Sequence, residues 1–235
     1  LQIDPKDARA RLSAGEAAER VSESSGITVE HRAAHGGASA VLLDAADEAK
    51  LLVIGTRGLG GFRRLILGST SAQCATHATT PTVVVPHQPP VGPERLVVAI
   101  DGSDNSYAAA NWAVQYAAPG TTVTFASVWD SSLFNVTRSE AGSPDASDTS
   151  EADFNVWVDT LADGLSANPT TAGVEIARDF SIASPRPRLK ELADESTLFV
   201  VGARGRGAVG SMMLGSVSSW LLHHVDVPMV IVPVA

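Results

Sequence analysis

The chain has 235 residues, 44 % hydrophobic and 18 % charged, with 26 acidic residues against 17 Lys and Arg for a net charge of −9. That composition supports a packed core, excludes disorder as the overall state, and lacks the basic stripe of a nucleic-acid binder. Its single cysteine, Cys74, leaves no internal disulfide, and the longest apolar stretch, Trp220–Val234, is broken by His223, His224, Asp226 and Pro228. No run approaches the roughly 20 apolar residues of a membrane span, and no leader pattern is visible; with the lone thiol, this predicts a cytoplasmic protein.

In chain order, the patterns predict helix Pro5–Ser24, strand Ile27–Arg32, helix Ser39–Ala46, strand Leu51–Ile54, helix Ser69–His77 and strand Thr82–Val85. A second series follows. Leu96–Ile100 is a short apolar run ending at Asp101, as in a strand buried on both faces. Ser103–Ser106 offers N-cap residues for an Ala-rich helix over Tyr107–Ala118, with Trp112 and Tyr116 at i,i+4, and Pro119–Gly120 stops it. Thr121–Trp129 reads as a strand, and Asp130–Ser150, rich in Ser and Asp, as a loop. Phe154, Trp157, Val158, Leu161 and Leu165 mark one apolar helical face. Strand Gly173–Phe180, helix Pro187–Ser196, strand Leu198–Val201, helix Ser216–His224 and strand Met229–Val232 complete the chain.

The two series are a repeat. Val53–Gln88 aligns without a gap on Val200–Ala235 at an offset of 147 (200 − 53), with 14 of 36 positions identical, among them four glycines and two prolines. Upstream, Gly26 falls on Gly173, Leu42 on Leu189, and Ala46, Asp47 and Glu48 on Ala193, Asp194 and Glu195. So long a period excludes a solenoid and predicts two tandem domains, 1–88 and 89–235, the first lacking the counterpart of Pro89–Ser147, 59 residues (147 − 88). Strand–helix alternation implies α/β domains with doubly wound parallel sheets, whose ligands sit at the carboxyl ends of strands. Asp101, Val128 and Gly202 fall at such ends.

The most informative segment is Gly202-Ala-Arg204-Gly205, nine residues, then Gly215-Ser216; the first copy has Gly55-Thr-Arg57-Gly58, nine residues, then Gly68-Ser69. Each loop leaves a strand and enters a helix. Glycine permits close backbone approach and positive φ, and the free N–H groups at a helix start suit an anion such as phosphate.

This loop, with the Pro-initiated apolar strand after it and the Leu96-Val-Val-Ala-Ile-Asp-Gly-Ser segment, resembles the universal stress protein family in its ATP-binding form, across essentially the whole chain. The resemblance implies Rossmann-like domains of the adenine nucleotide alpha-hydrolase type, strand order 3-2-1-4-5, dimerising through the last strand. It implies that Asp101 binds the ribose or base side, that Val128 and Val201 line an adenine pocket, that Gly202, Arg204 and Gly205 approach ribose and phosphates, and that Gly215, Ser216 and Val217 hold the phosphate chain. Weaker counterparts in the first copy are Ile54, Gly55, Arg57, Gly58, Gly68, Ser69 and Thr70, without an aspartate or an adenine wall. The ligand implied is ATP, alone or with Mg2+, and the role that of a stress-response regulator, at most a slow ATPase; a pure interaction module without nucleotide is the alternative. The last strands, sharing Pro-x-Val-x-Val-Pro (Pro81–Pro86 and Pro228–Pro233), are expected to pair antiparallel as an intramolecular pseudo-dimer, and a homodimer is compatible with the same edge.

Other constellations read as structure. Gly205-Arg-Gly207-Ala-Val-Gly210 fits a dinucleotide fingerprint, but Arg63 breaks it in the first copy, and no P-loop exists. His77 and His224 suit helix C-termini, His31 and His35 do not share a helix face for a metal, and Cys74 reads as a buried thiol. Glu191, Asp194 and Glu195 read as a solvated face, and Ser216 with His223 or His224 lacks a nucleophile elbow. No catalytic residue and no metal site is assigned.

Overall fold

The structure, a computed structural model, describes residues 5–56, 67–92, 94–130, 151–168, 171, 173–205 and 214–234. Arg57, Gly58, Arg63, Gly207, Gly210 and the body of the expected loop after Asp130 lie outside the described residues. The chain divides into two compact units, Leu1–Ala45 and Ala46–Ala235.

The first unit holds helix α1 (Pro5–Ser25) and all but the last residue of α2 (Ala38–Ala46). Gly26 ends α1 with φ +71°, returning its N–H to the Ser22 carbonyl at 2.9 Å, a conformation that costs glycine least. Its repeat partner Gly173 has φ +89°, so the two copies share this left-handed position. The expected strand Ile27–Arg32 does not form: no ladder reaches it among the described residues. In the second copy the equivalent segment pairs with the strand that begins at Thr122, and the first copy has no counterpart of that neighbour. A strand's hydrogen bonds come from its partner, so the apolar pattern alone does not make one.

The second unit is built on one seven-stranded sheet. Its elements are β1 (Leu52–Gly55), α3 (Ser69–His77), β2 (Thr82–Val85), β3 (Arg95–Ile100), α4 (Asp104–Tyr116), β4 (Thr122–Trp129), α5 (Glu151–Ser166), β5 (Glu175–Ile182), α6 (Pro185–Asp194), β6 (Leu198–Gly202), α7 (Ser216–Leu222) and β7 (Met229–Val232). The order is β1-β2-β7-β6-β3-β4-β5, parallel throughout except where β2 meets β7. Counted within the second copy its five strands run 3-2-1-4-5. The first copy departs from that pattern: it contributes two strands, and these extend the same sheet instead of building a second one.

Each face of the sheet carries its own core. Val98, Phe125, Val200 and Val230 pack with Ala110 and Ala113 of α4 and Phe154 and Leu161 of α5. On the other face Phe199, Val201 and Met229 pack with Leu189 of α6 and Leu221 of α7. The predicted apolar stripe of α5 is buried at Phe154, Val158, Leu161 and Leu165, and the Trp112–Tyr116 pair stacks at 4.8 Å between ring centroids. His224 falls two residues beyond α7 and not in its last turn; it stacks on Trp220 at 3.9 Å, its Nδ1 2.7 Å from the Trp220 carbonyl. Glu191 and Asp194 are ion-paired with Arg188 and Lys190 along α6. Cys74 is fully buried on α3, where burial pushes its thiol pKa up.

Candidate functional site

The β6–α7 connection is held by a small set of backbone bonds. Ala203 N–H donates to the Val232 carbonyl at 2.8 Å, and Gly215 N–H to the Ala203 carbonyl at 2.7 Å. Ser218 Oγ–H donates to the Gly202 carbonyl at 2.8 Å, tying α7 to the end of β6. The first copy repeats these bonds position for position: Thr56 N–H to Val85 at 2.9 Å, Gly68 N–H to Thr56 at 2.8 Å, and Ser71 Oγ–H to Gly55 at 2.7 Å. Both loops therefore start and end on the same bed, with Gly68 and Gly215 in extended conformations (φ −76°, ψ 155° and φ −68°, ψ 157°) that begin the following helix.

Of the two uses that glycine permits, positive φ is not the one made by the described loop glycines Gly55, Gly68, Gly202, Gly205 and Gly215. Among the described residues only Gly26, Gly36, Gly102, Gly120 and Gly173 do so, and none belongs to either loop. The loop glycines serve close approach instead. A Cβ at Gly202 would lie 2.7 Å from the backbone carbon and Cβ of Asn105, so the start of α4 rests directly on the end of β6. A Cβ at Gly205 would collide with Asp101 Oδ2, so the carboxylate occupies the space a side chain would take. Gly215 faces Arg204 Cα, Ala203 O and Gly205 N at 3.4 to 3.5 Å, which is ordinary contact.

Ser103 holds one oxygen of Asp101. Gly102, at φ +83°, turns the chain so that Ser103 reaches back: its N–H and its Oγ–H both donate to Asp101 Oδ1, at 3.0 and 2.6 Å. Ser103 Oγ also lies 3.3 Å from the Arg204 carbonyl and accepts from Ser106 N–H at 3.2 Å as the N-cap of α4.

Strand order arranges these parts side by side. β3 lies between β4 and β6, with Ile100 opposite Ser127 and Val98 opposite Val200, so Asp101 leaves the sheet between Val128 and the Gly202–Gly205 turn. Val128, Val201 and Val217 belong to one apolar cluster, with Val201 buried and the other two partly so. Ser216 and Arg204 are exposed. The structure thus brings Asp101, Val128, Val201, Gly202, Arg204, Gly205, Gly215, Ser216 and Val217 to one end of the sheet. In the first copy Ile54, Gly55, Gly68, Ser69 and Thr70 keep the bed but have no β3, β4 or α4 beside them, and Gly55 is exposed where Gly202 is buried. Because β2 runs antiparallel to β7, the carboxyl ends of β1 and β6 lie at opposite ends of the sheet.

Three residues escaped the sequence reading. Ser103 was legible as a cap but not as a partner of Asp101, although Asp-Gly-Ser is a spacing at which a serine bonds a carboxylate two residues back. Asn105 was legible as one of the residues at the start of α4 but not as the neighbour of Gly202. Arg186, at the start of α6, donates from Nη2 to the Ser216 carbonyl at 3.3 Å and, unlike Arg188 and Lys190 on the same helix, has no acidic partner among the described residues. Nothing in its local sequence separates it from those two.

The sequence profile described as "Universal stress protein family" matches residues 2–86 and again 93–233, the two copies of the repeat. The chain belongs to the universal stress protein family. It is 30 % identical over 219 residues to a universal stress protein of Mycolicibacterium smegmatis, covering 92 % of this chain and 72 % of that relative. It is 29 % identical over 202 residues to universal stress protein Rv1996 of Mycobacterium tuberculosis, covering 84 % of this chain and 63 % of that one. The chain therefore spans about two thirds of the length of such relatives. Among solved structures, a universal stress protein from Archaeoglobus fulgidus superposes with a TM-score of 0.68 over 99 % of this chain and 80 % of that one, at 22 % identity. A protein of unknown function from Pseudomonas aeruginosa, PA1789, gives 0.65 over 98 % and 79 %, at 12 %. These likenesses support the α/β fold of the family. No helix among the described residues is long and apolar enough to cross a membrane.

Proposed function

We propose that the second copy binds ATP, and that this universal stress protein acts in the cytoplasm as a nucleotide-dependent stress-response regulator. The observation that carries the reading is the lateral order at the sheet's end: apolar Val128 on β4, the Asp101 carboxylate on β3, then the glycine turn on β6 and α7. A nucleotide has the same order of base, sugar and phosphate, and adjacent strands about 4.8 Å apart match its spacing. Val128, Val201 and Val217 would pack the base, Asp101 accept sugar hydroxyls, and the backbone around Gly205 and Gly215 approach the phosphates. No described cluster of three or more His, Cys, Asp or Glu could itself hold a metal, so Mg2+ would arrive on the phosphate oxygens.

The first copy has the loop bed without the aspartate or the apolar wall, so its contribution is at most a weak anion contact in open solvent. Isothermal titration of the purified protein with Mg-ATP should therefore give one site per chain. Absence of binding would favour the interaction-module reading. Two equal sites would contradict the assignment of the complete site to the second copy. Phosphate release measured in the same sample distinguishes a regulator from a slow ATPase.

A further inference from the structure

Ser103 sits where three parts of the site meet. Both of its donors converge on one oxygen of Asp101, Oδ1, at 3.0 and 2.6 Å, while Oδ2 is pressed against Gly205. Its hydroxyl also reaches the Arg204 carbonyl at 3.3 Å, where the glycine turn leaves β6. A carboxylate on a free side chain can rotate and present either oxygen. Here two hydrogen bonds to one oxygen, and Gly205 packed against the other, fix its orientation.

We propose that Ser103 is a positioning residue for sugar recognition: by clamping Oδ1 it keeps Asp101 turned toward Gly205 and the middle of the site, and this makes the site select ribonucleotides over deoxyribonucleotides. The inference rests on the nucleotide reading above. Asp101 is flanked by the apolar wall on one side and the glycine turn on the other, so the part of a nucleotide above it is the sugar. An ionised carboxylate accepts and does not donate. It therefore rewards each sugar hydroxyl that reaches it and loses that bond when the hydroxyl is absent. A site whose charged acceptor bonds a ligand hydroxyl favours that ligand over the analogue lacking it by the worth of that bond, and half-buried Asp101 is placed to act in this way. The discrimination holds only while the carboxylate stays aimed, and the two Ser103 bonds to Oδ1 contribute to that aim.

The test compares ATP, 2′-deoxy-ATP and 3′-deoxy-ATP on the wild-type chain and on Ser103→Ala and Ser103→Thr, with melting curves to establish that each variant is folded at the titration temperature. The wild type should bind ATP about tenfold or more tightly than at least one deoxy analogue, as expected for the loss of one bond to a charged group. Ser103→Ala should weaken ATP by a similar factor and leave that deoxy analogue nearly unchanged, so that the preference collapses toward one. Ser103→Thr keeps a hydroxyl at the same place and should retain the preference. A wild type that binds no nucleotide would sink the functional reading itself. A wild type that binds ATP and both analogues equally would overturn the sugar assignment. Equal weakening of all three ligands by Ser103→Ala would show that Ser103 is only the cap of α4.

Discussion

Val83 and Val230 face each other across the antiparallel β2–β7 ladder, and they are also the same position of the repeat, 147 residues apart (230 − 83). Thr82 pairs with Ile231 and Val84 with Met229, so the pairing is symmetric about this one couple. A local two-fold axis therefore runs between two equivalent valines, and it is the operation that would relate two identical subunits joined through this strand. In this chain the operation is internal: the edge that β7 would otherwise expose is covered by β2.

That symmetry predicts a disulfide. Opposed residues of an antiparallel pair have Cβ atoms about 4.5–5.5 Å apart, close to what a disulfide spans. The double variant Val83→Cys, Val230→Cys should oxidise within the chain, remain monomeric on a non-reducing gel and lose about two mass units on intact-mass analysis. Closing so long a loop should stabilise the oxidised form by up to roughly 4–5 kcal/mol before any strain is subtracted. Intermolecular dimers as the main product would contradict the pairing.

Gly202 and Gly215 should separate stability from binding. At Gly202 a Cβ meets the backbone of Asn105 at 2.7 Å, and neither β6 nor α4 can move without opening the core. Gly202→Ala should cost about 1–3 kcal/mol, read as a lower melting temperature without ligand. At Gly215 φ is −68° and the nearest atoms are at 3.4 Å, so Gly215→Val should fold while its isopropyl group fills the approach to the turn and abolishes nucleotide binding. Unimpaired ATP binding by Gly215→Val would remove Gly215 from the phosphate site.

The repeat also supplies a matched pair of lysine substitutions. Val53 and Val200 occupy the same position, yet Val53 is 59 % exposed and Val200 is 0 % exposed. β1 is an edge strand, whereas β6 lies between β3 and β7. Val53→Lys should change stability by no more than about 0.5 kcal/mol, a range typical of surface sites. Val200→Lys would bury an unpaired ammonium and should abolish soluble folded protein, read by circular dichroism and expression yield. Similar behaviour of the two variants would contradict the difference between the copies.

Cys74 should be silent until the fold opens. It is fully buried, and burial raises its thiol pKa above the unfolded value. The folded chain then holds this proton more tightly than the unfolded chain, so the contribution is fully present below the unfolded pKa, about 8.5, and is lost as pH rises above it. A thiol-reactive dye at pH 8 should find no reactive group in the native protein and one per chain in denaturant. Rapid native labelling would place Cys74 at the surface.

The sequence alone determined what depends on neighbouring residues. Short apolar runs, β-branched stretches and one alternating segment marked all seven strands of the sheet to within two residues, Ser103 announced the start of α4, and the glycine spacing located both loops. The offset of 147 is itself the record of the duplication. Tertiary structure decided what depends on a partner far along the chain. Ile27–Arg32 has a strand's residues but no ladder to join, and Val53 has a core residue's chemistry but no third layer above it. The contact between Asp101 and Gly205 spans more than one hundred positions and exists only because β3 and β6, remote in sequence, are neighbours in the sheet. Side-chain periodicity and turn chemistry are local quantities, whereas hydrogen-bond ladders and burial are set by whichever segment arrives from elsewhere. That is why two copies of one motif, with the same bonds at the loop's ends, have β3, β4 and α4 beside them in one place and not in the other.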